Sequence, residues 1–157
     1  MFDWDSLLVR LRTYPSHFHR LLPPTSGERI EEVERELGKL PQTLAEMLMR
    51  FNGAELFIAG SPLVSFFRIS TSPPLPPLEW APEWCIDKFT PQWRTAGPNR
   101  KGDWAIAMTN YGGLVLLDAD GIVKEWDIGE SKWVSGKQSL EHWIENVMSE
   151  GEAIMAE

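Results

Sequence analysis

Residues 25–53 read TSGERIEEVERELGKLPQTLAEMLMRFNG, and their spacing predicts two short amphipathic helices in tandem. Thr25 and Glu28 stand three apart, the separation at which each side chain reaches the other's free backbone N–H at a helix start. Ile30, Val33 and Leu37 recur at i, i+3 and i+7 and so share one face. Gly38 can take the positive φ that ends the first helix, and Pro41 suits the opening turn of the second. Leu44, Met47, Leu48 and Phe51 form a second stripe, which Asn52-Gly53 is expected to close with another left-handed cap.

Upstream, Trp4, Leu7, Leu8 and Leu11 form one face of a first helix, with Asp3 as its N-cap and Pro15 beyond its end. Residues 16–25 read as irregular, because Pro23-Pro24 cannot continue a helix. Downstream, residues 55–59 and 63–69 look strand-like around Gly60-Ser-Pro62. Residues 70–78 are proline-rich and read as a stiff connector; no basic residue flanks their PxxP spacings, as an SH3 ligand would need. Residues 80–93 are expected to hold a short helix that Pro82 starts and Pro91 stops.

From Asp103 the pattern sharpens. Trp104, Ile106 and Met108 alternate with two alanines, Tyr111-Gly112-Gly113 turns, and Leu114 to Leu117 form an apolar and therefore central strand. Asp118-Ala-Asp120-Gly121 turns the chain again into residues 122–127, and Trp133-Val134 can add one more strand. Leu140, Trp143, Ile144, Val147 and Met148 form the strongest helical stripe of the chain. Helices first, hairpins next and one closing helix define an α+β architecture in a single domain over residues 1–150, with 151–157 a frayed tail.

The glutamate, Leu-Gly, Leu-Pro and Asn-Gly order over Ile30, Glu34, Leu37-Gly38, Leu40-Pro41, Leu44, Leu48 and Asn52-Gly53 resembles the N-terminal half of the SUKH superfamily, the Smi1/Knr4-like domain. Trp104-Ala-Ile106, Gly112-Gly113, Asp118, Asp120-Gly121-Ile-Val123 and Ser139-Leu140 are similar to its C-terminal half. The resemblance spans residues 25–150, with nothing matching between Gly60 and Asp103. It implies a curved, mostly antiparallel sheet with helices packed against it. It also implies a non-catalytic binding module. Bacterial members commonly act as immunity proteins that bind and block a cognate toxin domain, often a nuclease, and fungal members act as regulatory adaptors.

The composition fits such a role. The chain has 157 residues, 43% of them hydrophobic and 24% charged, enough for one sizeable core. Its formal net charge of −8 disfavours direct nucleic-acid binding and suits either simple solubility or a basic protein partner, such as a toxin domain. The lone Cys85 allows no internal disulfide, and no apolar run is long enough to span a bilayer, so the expected location is the cytoplasm. Eight tryptophans are many for this length; core filling accounts for most, and one or two are expected at a partner surface.

Chemical motifs are weak. Were Asp118-x-Asp120-Gly121 a calcium loop with Gly121 sixth, its first ligand would be Leu116 and its twelfth Asp127, which lacks the needed oxygen and the bidentate glutamate; a type I′ or related hairpin turn explains it. His17, His19, the distant Cys85 and His142 give no zinc spacing. Neither metal nor cofactor is expected. Cys85 or the Asp118 turn would serve a hydrolase only with a histidine or metal brought near in space. Two acidic groups are the candidate partner contacts: Glu79, Glu83 and Asp87 spaced around Trp80 and Trp84, and Asp118, Asp120, Glu125 and Asp127 near the second hairpin. Glu31, Glu32, Glu34 and Glu36 read as a solvated helix face.

Overall fold

A computed structural model describes residues 2–70, 85–96, 102–134 and 136–156. In chain order the elements are α1 (Trp4–Arg12), a 3-10 turn (Ser16–Phe18), β1 (Arg20–Leu21), α2 (Gly27–Leu37), α3 (Gln42–Leu48), β2 (Ala54–Ala59), β3 (Ser61–Phe66), α4 (Ile86–Ala96), β4 (Trp104–Thr109), β5 (Gly113–Leu117), β6 (Ile122–Asp127), β7 (Lys132–Trp133), β8 (Gln138–Ser139) and α5 (Leu140–Met155). The strands form one open sheet in the order β1-β2-β3-β4-β5-β6-β7, with β8 also on β6. Every neighbouring pair is antiparallel. Short turns suited to that pairing join β2 to β3 and β4 through β7 in succession, whereas α2 and α3 intervene between β1 and β2, and α4 between β3 and β4. The α+β expectation therefore holds.

Adjacent residues point to opposite faces of a strand, and this alternation assigns the layers. Phe66 meets Trp143 of α5 with ring centroids 5.7 Å apart, whereas the next residue, Phe67, meets Phe89 of α4 at 6.0 Å. Glu125 likewise accepts from Trp143 while Trp126 packs on Trp93 of α4. The sheet is thus sandwiched between α5 on one face and α4 on the other. Leu114 to Leu117, buried throughout, form β5 in the middle of the sandwich, as their uniform apolarity predicts. Trp4, Trp93, Trp104 and Trp143 are buried, so four of the six described tryptophans fill the core.

Several local expectations are corrected. The first N-cap of the tandem is Ser26, not Thr25: its hydroxyl accepts from the Arg29 N–H at 3.1 Å. Gly38 does end α2, at φ +100. Glu34 then reaches past it to accept from the Leu40 N–H at 2.9 Å, fixing the Gly-Lys-Leu-Pro link. Asn52-Gly53 is no helix cap, because α3 stops at Leu48 with Met49 still helical in conformation. Asn52 is instead buried and clamps Ile69, accepting from its N–H at 2.8 Å and donating to its carbonyl at 2.9 Å. Gly53, at φ +96, lies so close to the same segment that a Cβ would meet that of Arg68 at 3.0 Å.

Two helix ends also differ from expectation. Pro91 sits inside α4 rather than stopping it. The missing N–H releases one carbonyl, but tertiary contacts on both sides of the proline hold the helix: buried Thr90 accepts from the Ala105 N–H at 3.1 Å, and buried Trp93 donates to Asp103 at 3.3 Å. The expected start at Pro82 lies outside the described residues. Residues after Gly151 do not fray, since α5 continues to Met155. Ile154 and Met155 pack against the core, and Arg10 of α1 pairs with Glu152 at 2.6 Å and Glu145 at 2.9 Å. The short strands β1 and β8 fall where no strand pattern is visible, being two residues each.

Candidate partner-binding surface

The predicted acidic residues are dispersed by the fold. Glu79, Trp80, Glu83 and Trp84 lie outside the described residues. Asp87 is turned inward: Ser70 donates to it through both N–H and hydroxyl, and Arg29 of α2 pairs with it at 3.1 Å. Asp118 organises the β5–β6 turn, its Oδ1 accepting from the N–H groups of Asp120 and Ile122 at 2.9 and 3.0 Å. The turn is a three-residue loop, Ala119 to Gly121, with Gly121 at φ +80 and the Asp118 N–H bonded to the Ile122 carbonyl. That is the longer hairpin type with a left-handed closing residue, not the two-residue type I′. Asp120 is exposed beside it.

Glu125 and Asp127 come together at the opposite end of β6, and residues absent from the expected set join them. In the β4–β5 turn, Thr109 Oγ1 accepts from the Gly113 N–H at 2.9 Å, and Gly112 takes φ +86. This tight loop drives Tyr111 to its tip, 62% exposed. Its hydroxyl folds back onto Glu125 at 3.0 and 3.2 Å. Glu125 also accepts from the buried indole of Trp143 at 3.2 Å, so the carboxylate anchors Tyr111 to the core.

The β6–β7 turn is held by Asp127, which accepts from the Glu130 N–H at 3.0 Å. The two turns are joined to each other, the Ile128 N–H donating to the Gly112 carbonyl at 3.3 Å. Ile128 is 47% exposed and Val134 40%. Between the turns and the start of β3 runs a groove of about 510 Å³ whose lining includes Pro62, Met108, Tyr111, Asp127 and Ile128. On the other side of Tyr111 lies a second hollow of about 370 Å³ against Val134, Lys137 and His142. Sequence reasoning passed over Tyr111 and Ile128, although an aromatic residue beside Gly112-Gly113 at a turn is the available signal.

Neither alternative chemistry gains support from geometry. Cys85 is buried, and burial pushes its thiol up, which disfavours the thiolate a nucleophile requires. Among the described residues no group of three or more His, Cys, Asp or Glu side chains is placed to hold a metal ion. His19 faces Phe57 and Tyr14 instead, with ring centroids 4.8 and 5.8 Å away. Among the described residues no helix is long and apolar enough to cross a membrane.

Comparison with curated proteins returns no match for the chain. The family model described as SMI1 / KNR4 family (SUKH-1) matches residues 24–146, from the residue before the helical tandem to the middle of α5. With that match covering most of its length, and with the sheet and helices in the expected arrangement, the chain belongs to the SMI1/KNR4 (SUKH-1) family.

Proposed function

We propose that this protein is a non-catalytic binding module of the immunity type, which occludes a basic toxin domain, with a nuclease as the best-fitting class. The observation that carries this reading is the family match over residues 24–146 on a chain of net charge −8. An enzyme that cleaves nucleic acid must attract phosphate and so exposes a cationic cleft. A carboxylate-rich protein competes for that cleft, and opposite potentials speed the encounter. The exposed tip residues Tyr111 and Ile128 supply apolar anchor area beside Glu125 and Asp127, a composition common at binding hot spots.

The test is affinity capture with the intact protein from the cells that make it, followed by co-expression of whatever is captured. The expected result is one basic polypeptide, bound one to one, whose association slows steeply with added salt and whose toxicity the protein relieves. Several weakly held partners with no toxicity would support the adaptor role instead. Recovery of nothing would remove both binding roles.

A further inference from the structure

We propose that the groove between the β4–β5 and β6–β7 turns, walled by Tyr111 and Ile128, is the docking site for a loop of a basic protein partner, one that inserts an apolar side chain next to a lysine or arginine. The inference deepens the binding-module reading and rests on it.

Four observations converge on that occupant. The first is exposure: Tyr111 and Ile128, two of the five large hydrophobic residues exposed among those described, both line this groove, and a third, Val134, lines the adjoining hollow. Scattered single exposures are ordinary, whereas a grouping beside a groove marks a contact surface. The second is volume. At about 510 Å³ the groove falls within the roughly 300–1,000 Å³ of sites that enclose a ligand. The third is rigidity: the Ile128–Gly112 hydrogen bond, the Asp127 turn and the Tyr111–Glu125 contact hold the walls before anything binds, so little ordering remains to be done on association.

The fourth is charge. Asp127 lines the groove, Glu130 stands in the same turn, and Glu125 and Glu150 both act on the Tyr111 hydroxyl. The countercharges nearby are Lys132, paired with Glu130 at 2.6 Å, and Lys137 in the adjoining hollow. With Asp127 in the groove lining, Glu125 bonded to the hydroxyl of its Tyr111 wall and a chain of net charge −8, the setting favours a cation at the rim. An exposed tyrosine face further suits a guanidinium or ammonium group. An apolar wall with an acidic rim thus matches a side chain pair of one hydrophobe and one cation. It would repel an acidic peptide or a nucleic-acid backbone.

Short random peptides displayed on phage and selected on the intact protein test this directly. The enriched sequences are expected to pair Lys or Arg with a neighbouring aliphatic or aromatic residue. Ile128→Ser and Tyr111→Ala should each weaken them by about tenfold, with circular dichroism and Tm showing that both variants remain folded. Glu130→Lys should weaken them far more than Asp120→Lys, which makes the same charge change at the other end of β6. Enrichment of acidic sequences, binders indifferent to both wall substitutions, equal effects of the two charge reversals, or no enriched peptide at all would each overturn the proposal. A captured protein partner that binds the Ile128→Ser and Tyr111→Ala variants undiminished would overturn the face while leaving the binding-module reading intact.

Discussion

Gly151 of α5 packs against the ring of Phe57 in β2, so close that a Cβ at that position would overlap Phe57 Cδ2, Cγ and Cε2. Phe57 itself takes φ +53 in the middle of its strand, a conformation costly for a bulky residue. The helix and the strand therefore interlock through a missing side chain on one and an unusual backbone on the other.

In an ordinary helix interior, replacing glycine by alanine stabilises by about 0.5–1 kcal/mol. Here Gly151→Ala is expected to do the opposite, because the methyl group must displace a buried ring, at about 1–3 kcal/mol. The urea midpoint should fall, and the loss should shrink when Phe57→Leu is combined with it, since the smaller side chain leaves room. A Gly151→Ala protein as stable as the parent or more so would contradict the packing.

Asn52 joins the end of the helical tandem to the segment that leaves β3. Its side chain satisfies both the N–H and the carbonyl of Ile69 in a buried setting. Asn52→Leu, close in volume, leaves two backbone groups without partners, and a loss of about 2–4 kcal/mol is expected by equilibrium urea unfolding. Asn52→Asp should also lose stability, since a carboxylate would face the Ile69 carbonyl with no hydrogen to offer. Unchanged midpoints for both variants would mean that the clamp contributes nothing.

These two sites mark where reading the sequence runs out. The stripes of α2 and α5, the Gly38 stop and the buried strand β5 are legible because their signals lie within a few residues. Asn52 and Gly151 look like local punctuation, yet each answers to a residue far along the chain, Ile69 for one and Phe57 for the other. Pro91 misleads for the same reason, its helix being held from outside by Ala105 and Asp103. At the candidate surface, Glu125 and Asp127 are visible as charge. The groove that Tyr111 and Ile128 wall is not, because it lies between two turns that meet through the Ile128–Gly112 hydrogen bond, far apart in sequence from the start of β3 that completes it.

His19 guards the outer edge of β2. Its Nδ1 accepts from the Phe57 N–H at 3.1 Å, while Nε2 is buried without a partner. Burial pushes its pKa below the usual 6.5, so the unfolded chain takes up a proton before the native protein does. Stability from this residue is therefore complete above pH 6.5 and declines as pH falls below that value, until the native imidazole also protonates. The urea midpoint, followed from about pH 7.5 to about pH 5, should fall less steeply in His19→Asn, whose amide oxygen can accept the same bond without titrating. Superimposable profiles would exclude His19 as a source of acid sensitivity.

Tyr111 is exposed, yet the pKa of its hydroxyl is pushed up to about 12. Desolvation is the main cause, followed by the negative charge of Glu125 and the hydrogen bond to it, with Glu150 adding to the effect. The native protein thus holds this proton more tightly than the unfolded chain. The resulting stability is present below pH 10 and disappears as pH rises through about 12. Because Tyr14 is the other tyrosine of the chain, phenolate absorbance of a Tyr14→Phe protein reports Tyr111 alone. Glu125→Gln should bring its midpoint down towards 10, and a cationic peptide seated in the groove should do the same by adding positive charge nearby. A Tyr111 that ionises at 10 in the folded parent would show that the hydroxyl is not held against Glu125, and the rigid groove wall would lose its support.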